Sequence, residues 1–112
     1  MRRMVLPGIA RVSGASMEPT LHAGDLLLVL WGARARVGSL ALVRLPRDEH
    51  GASRPIAVKR VTGTDPADPG RWWVERDNPR AGVDSWTVGS LAQEAILARV
   101  LLRIACRRRP FA

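Results

Sequence analysis

A chain of 112 residues, 46% hydrophobic and 25% charged, has the size and composition of one globular domain with one modest core. A single cysteine, Cys106, excludes an internal disulfide and a thiolate metal site, and no cofactor is expected. The formal charge of +8 sits largely at the ends, in Arg2, Arg3 and Arg11 and in Arg99, Arg103, Arg107, Arg108 and Arg109, so a nucleic-acid groove is not expected, whereas a peripheral contact with an anionic membrane face stays open.

The apolar runs are short and bounded by Gly, Pro and Asp, a pattern that predicts strands. Residues 9–12 read as a first short strand. The continuous apolar run 26–31 reads as a strand buried on both faces. Segments 39–45 and 55–61 read as two more strands, joined by the polar loop 46–54. A turn is expected over 64–70, which holds Pro66, Pro69 and Gly70. An extended segment follows over 71–76, with Trp72 and Trp73 on opposite faces. Residues 77–89 read as an irregular loop. The run 91–105 is undecided between helix and strand, and 106–112 reads as a basic tail. No run reaches the roughly 20 apolar residues that span a bilayer, so the chain reads as soluble and cytoplasmic. The fold class is mainly β, in a single domain, with one short helix after Ser16.

The basic residues are uneven in kind. Of 18, 17 are arginine, and the lone lysine is Lys59. Coding bias accounts for much of such an imbalance. Arginine stays protonated, however, and cannot act as a base near neutral pH. A position that needs a neutral amine has to remain lysine.

Four pieces of sequence carry chemistry. The first is Ser13-Gly14-Ala15-Ser16-Met17-Glu18-Pro19-Thr20-Leu21, and Gly24-Asp25 then leads into an apolar run. Val58-Lys59-Arg60-Val61 is the third, and Asp77-Asn78 followed by Asp84-Ser85 is the last. In this order and spacing they resemble the nucleophile box, the lysine–arginine box and the Asp-Asn…Asp-Ser box of the type I signal peptidase family. Each piece alone is common; the order is what carries the resemblance. It covers roughly residues 9–100, and it implies the compact β fold shared by signal peptidases and LexA-type repressors.

The residue types make physical sense for peptide hydrolysis. A serine hydroxyl attacks only when a neighbouring base takes its proton, and lysine can replace the usual histidine. The lysine reference pKa of about 10.4 then has to fall, and burial against apolar groups lowers it. On a strand, Lys59 shares a face with Ala57 and Val61, while Arg60 points the other way. A lysine on an isolated strand is ordinarily solvated, and most serines are turn or cap residues. Ser16 is distinguished by Gly14 before it, which permits close backbone approach, and by Pro19 after it, which suits the first turn of a helix. The backbone N–H of Ser16 is the candidate oxyanion donor. Met17 fits the substrate channel and the core equally well. His22 and His50 are weaker bases by position, since His50 lies in a polar loop beside Asp48 and Glu49.

The resemblance implies Ser16 as nucleophile and Lys59 as general base, with Gly14 and Met17 beside the substrate. Arg60, Asp77, Asn78, Asp84 and Ser85 are then site-organising, Asp77 and Asp84 either by pairing with Arg60 or as caps of their own loop. The chain departs from the family at three places. Gly14 stands where a second hydroxyl often helps the oxyanion, Gly82 where a serine orients the lysine, and Trp86 where an arginine follows Asp-Ser. Small size and no expected anchor resemble the branch that matures nickel-type superoxide dismutase by removing a short N-terminal leader. The expected partner is thus a precursor protein. The alternatives are processing of secreted precursors and a non-catalytic binding module of the same fold. A self-cleaving LexA-type repressor is not expected, because 15 residues ahead of Ser16 leave no room for a DNA-binding helix pair.

Overall fold

The structure, a computed structural model, describes residues 4–105. Cys106, the expected basic tail and the N-terminal arginines Arg2 and Arg3 lie outside the described residues. The fold is mainly β. Strands β1 (Leu6–Arg11), β2 (Leu26–Trp31), β3 (Leu40–Val43), β4 (Ala57–Asp65), β5 (Asp68–Glu75) and β6 (Ile96–Ala105) form one antiparallel sheet in the order β1-β2-β6-β3-β4-β5. A single helical turn, α1 (Ser85–Val88), and a 3-10 turn over Gln93–Ala95 precede β6. Among the described residues no helix is long and apolar enough to cross a membrane.

Alternation along the strands sorts the core into two clusters. Leu42 packs with Val12, Met17, Leu21, Leu27, Val29, Val58 and Ala98. Its neighbours Ala41 and Val43 pack with Leu45, Val61, Val74, Leu91 and Ile96. Successive side chains point to opposite faces, so β3 is the strand buried on both sides. The sequence assigned that role to β2. There only Leu27 and Val29 are fully buried, and Leu26, Leu28 and Leu30 are half-exposed. The difference follows from the sheet order. β3 lies inside the sheet between β6 and β4, whereas β2 is flanked by the edge strand β1.

The run left undecided by its composition is a strand, β6, because β2 pairs with it on one side and β3 on the other. The expected turn over 64–70 shrinks to two residues, Pro66 and Ala67, with Asp65 Oδ1 accepting from the Ala67 N–H at 2.9 Å. Pro69 and Gly70 lie within β5, an edge strand where a missing N–H breaks no ladder on the open side. Trp72 packs with the Val43 cluster and donates to Gln93. Trp73 instead meets Trp86 edge to face, with ring centroids 5.2 Å apart.

The segment after Ser16 is a run of turns and no helix. It closes one i→i−3 bond, Glu18 N–H to Ala15 O, and one i→i−4 bond, Leu21 N–H to Met17 O. The Glu18–Pro19 peptide is cis. Gly24, at φ +94°, and Asp25, whose carboxylate accepts from the His22 N–H at 2.9 Å, then turn the chain into β2 before a second helical turn can form. The short helix sits at Ser85–Val88, where Asp84 accepts from Trp86 N–H as its N-cap.

Candidate active site

Lys59 is the third residue of β4, opposite Ala41 of β3 and on the same face as Ala57 and Val61. Apolar neighbours and the loops above leave it 2% exposed. Its Nζ is 2.9 Å from Ser16 Oγ, although 43 residues separate the two in the chain. Burial is the largest influence on the amine and lowers its pKa from the ordinary 10.5; the Asp84 carboxylate pulls the other way, and the Arg76 guanidinium adds to the lowering.

The turn that carries Ser16 is braced from the segment following β5. Asn78 donates its backbone N–H to Ser16 O at 2.8 Å and its side-chain amide to Ala15 O at 2.8 Å. Gly14, at φ +77°, has open space where a side chain would stand. One residue before Asn78, Asp77 receives two hydrogen bonds from Arg60, at 3.0 and 2.7 Å, and one from the Thr20 hydroxyl at 2.5 Å. The Arg60 bond is the main reason the Asp77 carboxyl is held below the usual range. A planar guanidinium meeting a carboxylate through two bonds fixes both groups. The Arg60–Asp77–Thr20 chain therefore ties β4, the 77–84 loop and the Ser16 turn together. The Thr20 link has no signal in local sequence; it appears only when the loop folds back.

Asp84 and Ser85 act one step further away. Asp84, 4% exposed, accepts from the N–H groups of Trp86 and Arg76 at 3.0 and 3.1 Å. Ser85 Oγ accepts from the Val74 N–H at 2.9 Å. These two residues anchor the loop's return onto β5. Gly82, at φ +75°, lies directly against the serine–lysine pair. A Cβ there would stand 2.9 Å from Ser16 Cβ and 3.4 Å from Lys59 Nζ.

An open cleft of about 340 Å³ leads to this pair, lined by Ser13, Gly14, Ala15, Leu45, Pro55, Ile56, Ala57 and Val83 and by the charged Arg54. Met17 is not part of that wall. It is 2% exposed and packs in the Leu42 cluster. His22 is exposed and lies 3.1 Å from Glu18 Oε1. His50 is exposed beside Glu49, and neither histidine lines the cleft. Among the described residues no group of three or more His, Cys, Asp and Glu side chains is placed to hold a metal ion.

Compared with protein-family models and with curated proteins, the chain matches none. The chemistry therefore rests on the site's own geometry. A hydroxyl and a buried amine within hydrogen-bond distance at the floor of an apolar cleft meet the geometric requirement for a nucleophile and its base.

Proposed function

We propose that the chain is a serine endopeptidase in which Ser16 attacks the peptide carbonyl and Lys59 is the general base. The observation that carries this reading is the 2.9 Å approach of a lysine amine, 2% exposed, to a serine hydroxyl. In the neutral form Lys59 accepts the Ser16 proton as Oγ bonds to the substrate carbonyl carbon. The carbonyl oxygen takes the negative charge and is met by the Ser16 backbone N–H. The resulting ammonium returns its proton to the leaving amine as the C–N bond breaks, leaving an acyl-serine. Water, deprotonated by the same amine, releases the acid and restores the hydroxyl. Dry walls matter because water would stabilise the ammonium and silence the base.

The substrate class is a precursor protein with small residues ahead of the cut bond, processed in the cytoplasm by loss of a short N-terminal leader. A nickel-type superoxide dismutase precursor is the first candidate, on the resemblance of the boxes. A non-catalytic binding module is the second reading, favoured by Gly82 standing where the family's lysine-orienting serine is expected. Incubating the purified protein with that precursor and with a secretory precursor, then reading new N-termini by mass spectrometry, separates these readings. A single new N-terminus, absent with Ser16→Ala and Lys59→Arg, is expected. Cleavage retained in Lys59→Arg eliminates the proposed base, because arginine cannot become neutral here. An intact precursor in every case favours the binding module.

A further inference from the structure

Arg76, the first residue after β5, belongs to none of the sequence boxes, yet it grips the wall of the dyad. Its guanidinium donates to the Gly82 carbonyl, its Nε lies 3.8 Å from Asp84 Oδ2, and its backbone N–H donates to that same oxygen. One side chain thereby spans both ends of the Gly82-Val83-Asp84 segment. Gly82 packs closely on the Ser16–Lys59 pair, with 2.9 Å from its would-be Cβ to Ser16 Cβ and 3.4 Å to Lys59 Nζ. Whatever fixes Gly82 fixes that wall.

Charge points the same way. The groups around the Lys59 amine are Ala41 across β3, Ala57 and Val61 on its own strand, Ser16, and Gly82 in the loop. Arg54 lines the same cleft, and Arg60 points to the other face, paired with Asp77. Asp84 and Arg76 are the charged groups whose fields act on the amine, with opposite sign. Asp84 alone would favour the ammonium form, and it cannot be dispensed with, because it caps α1 and closes the loop.

We propose that Arg76 is the positioning residue of the dyad: it holds the Gly82 wall against Ser16 and Lys59 and offsets the Asp84 carboxylate. The inference rests on the peptidase reading for its consequence, but the arrangement can be tested without turnover. Lys59 is the chain's lone lysine, so protein grown with lysine carbon-labelled at Cε shows one side-chain resonance, and its shift against pH reports the amine directly. Two variants divide the two roles. Arg76→Gln keeps an amide donor and removes the charge; Arg76→Lys keeps the charge and loses the fork that reaches both Gly82 and Asp84. In Arg76→Gln the Lys59 midpoint moves upward. On the acid limb kcat/KM then falls about tenfold for each unit of movement, with KM little changed. In Arg76→Lys the midpoint stays near wild type while kcat falls. A wild-type midpoint in folded Arg76→Gln overturns the proposal. So does Arg76→Lys with wild-type kcat or a displaced midpoint, and that variant decides the matter if Arg76→Gln does not fold. If the midpoint moves as expected but wild-type protein cleaves no precursor and takes no acylating probe, the offset of Asp84 by Arg76 stands and the peptidase reading falls.

Discussion

Replacing Gly82 with serine probes how tightly the dyad is packed, because it installs the side chain that the family resemblance expects at this position. The structure predicts damage. Gly82 adopts φ +75°, and an L-residue held in the left-handed region is destabilised by about 1–2 kcal/mol. The new Cβ would also stand 2.9 Å from Ser16 Cβ, closer than carbon atoms normally approach. Ser16 cannot step aside freely, since Asn78 bonds to the carbonyls of both Ala15 and Ser16. The two effects together give about 2–3 kcal/mol. At roughly 4 °C per kcal/mol for a domain of this size, melting falls by about 8–12 °C. Displacement of Ser16 by a few tenths of an ångström to one ångström lowers kcat by up to about a hundredfold. Gly82→Ala carries the same Cβ without the hydroxyl and should behave alike. Circular dichroism melts and cleavage of a precursor peptide measure both effects. Wild-type melting together with equal or faster turnover in Gly82→Ser would refute the reasoning, because the loop would then have to run along another path and a hydroxyl would be orienting the amine.

Four further outcomes follow from the same geometry. Lys59→Met abolishes cleavage and stabilises the fold by roughly 1–2 kcal/mol below the native lysine midpoint, since it removes an amine that is costly to protonate when buried and fills the space with apolar atoms. The pH dependence has a definite sign: the amine's midpoint is lowered on folding, so between that midpoint and the ordinary 10.5 the unfolded chain binds more protons. Wild-type stability therefore rises with pH across this window and loses that increment as pH falls back through the native midpoint, and urea melts of Lys59→Met lack the slope. Asn78→Ala removes the side-chain bond to Ala15 O and lowers stability by about 1 kcal/mol, with kcat reduced about tenfold; unchanged kcat would show that the backbone bond alone holds the turn. His50→Ala stays within about 0.5 kcal/mol of wild-type stability and keeps wild-type kcat, and a large loss would reopen a histidine mechanism.

The strands were legible where the signal is local and obscure where it is not. Residues 26–31 are apolar without interruption, and β2 occupies those same positions. The Ala and Leu content of 91–105 is compatible with helix, and only pairing with β2 and β3 makes it β6. The first strand, expected over 9–12, begins earlier, at Leu6, and takes in Pro7 and Gly8; Gly8 packs against Trp31, and a Cβ there would meet the indole nitrogen at 2.3 Å. Alternation put Lys59 on a face with Ala57 and Val61, but its depth depends on two distant segments, the Ser16 turn and the 82–84 loop, closing above it. Pairing of Arg60 with Asp77 was one of the arrangements the residue types allowed. The roles of Thr20 and Arg76 were invisible, because each reaches a partner that only the folded loop brings near. Met17 shows the converse limit: its place in the nucleophile box carries no information on which way its side chain turns, and it turns into the core.

The claim on which the rest depends is that a buried, uncharged Lys59 makes Ser16 a nucleophile. Mass spectrometry after exposure to a serine-acylating β-lactam such as a penem tests it most directly. One acyl adduct on the peptide containing Ser16 is predicted, forming faster as pH rises through the lowered lysine midpoint and absent in Lys59→Met. Lack of an adduct in the folded wild-type protein, or equal labelling in Lys59→Met, would contradict the account.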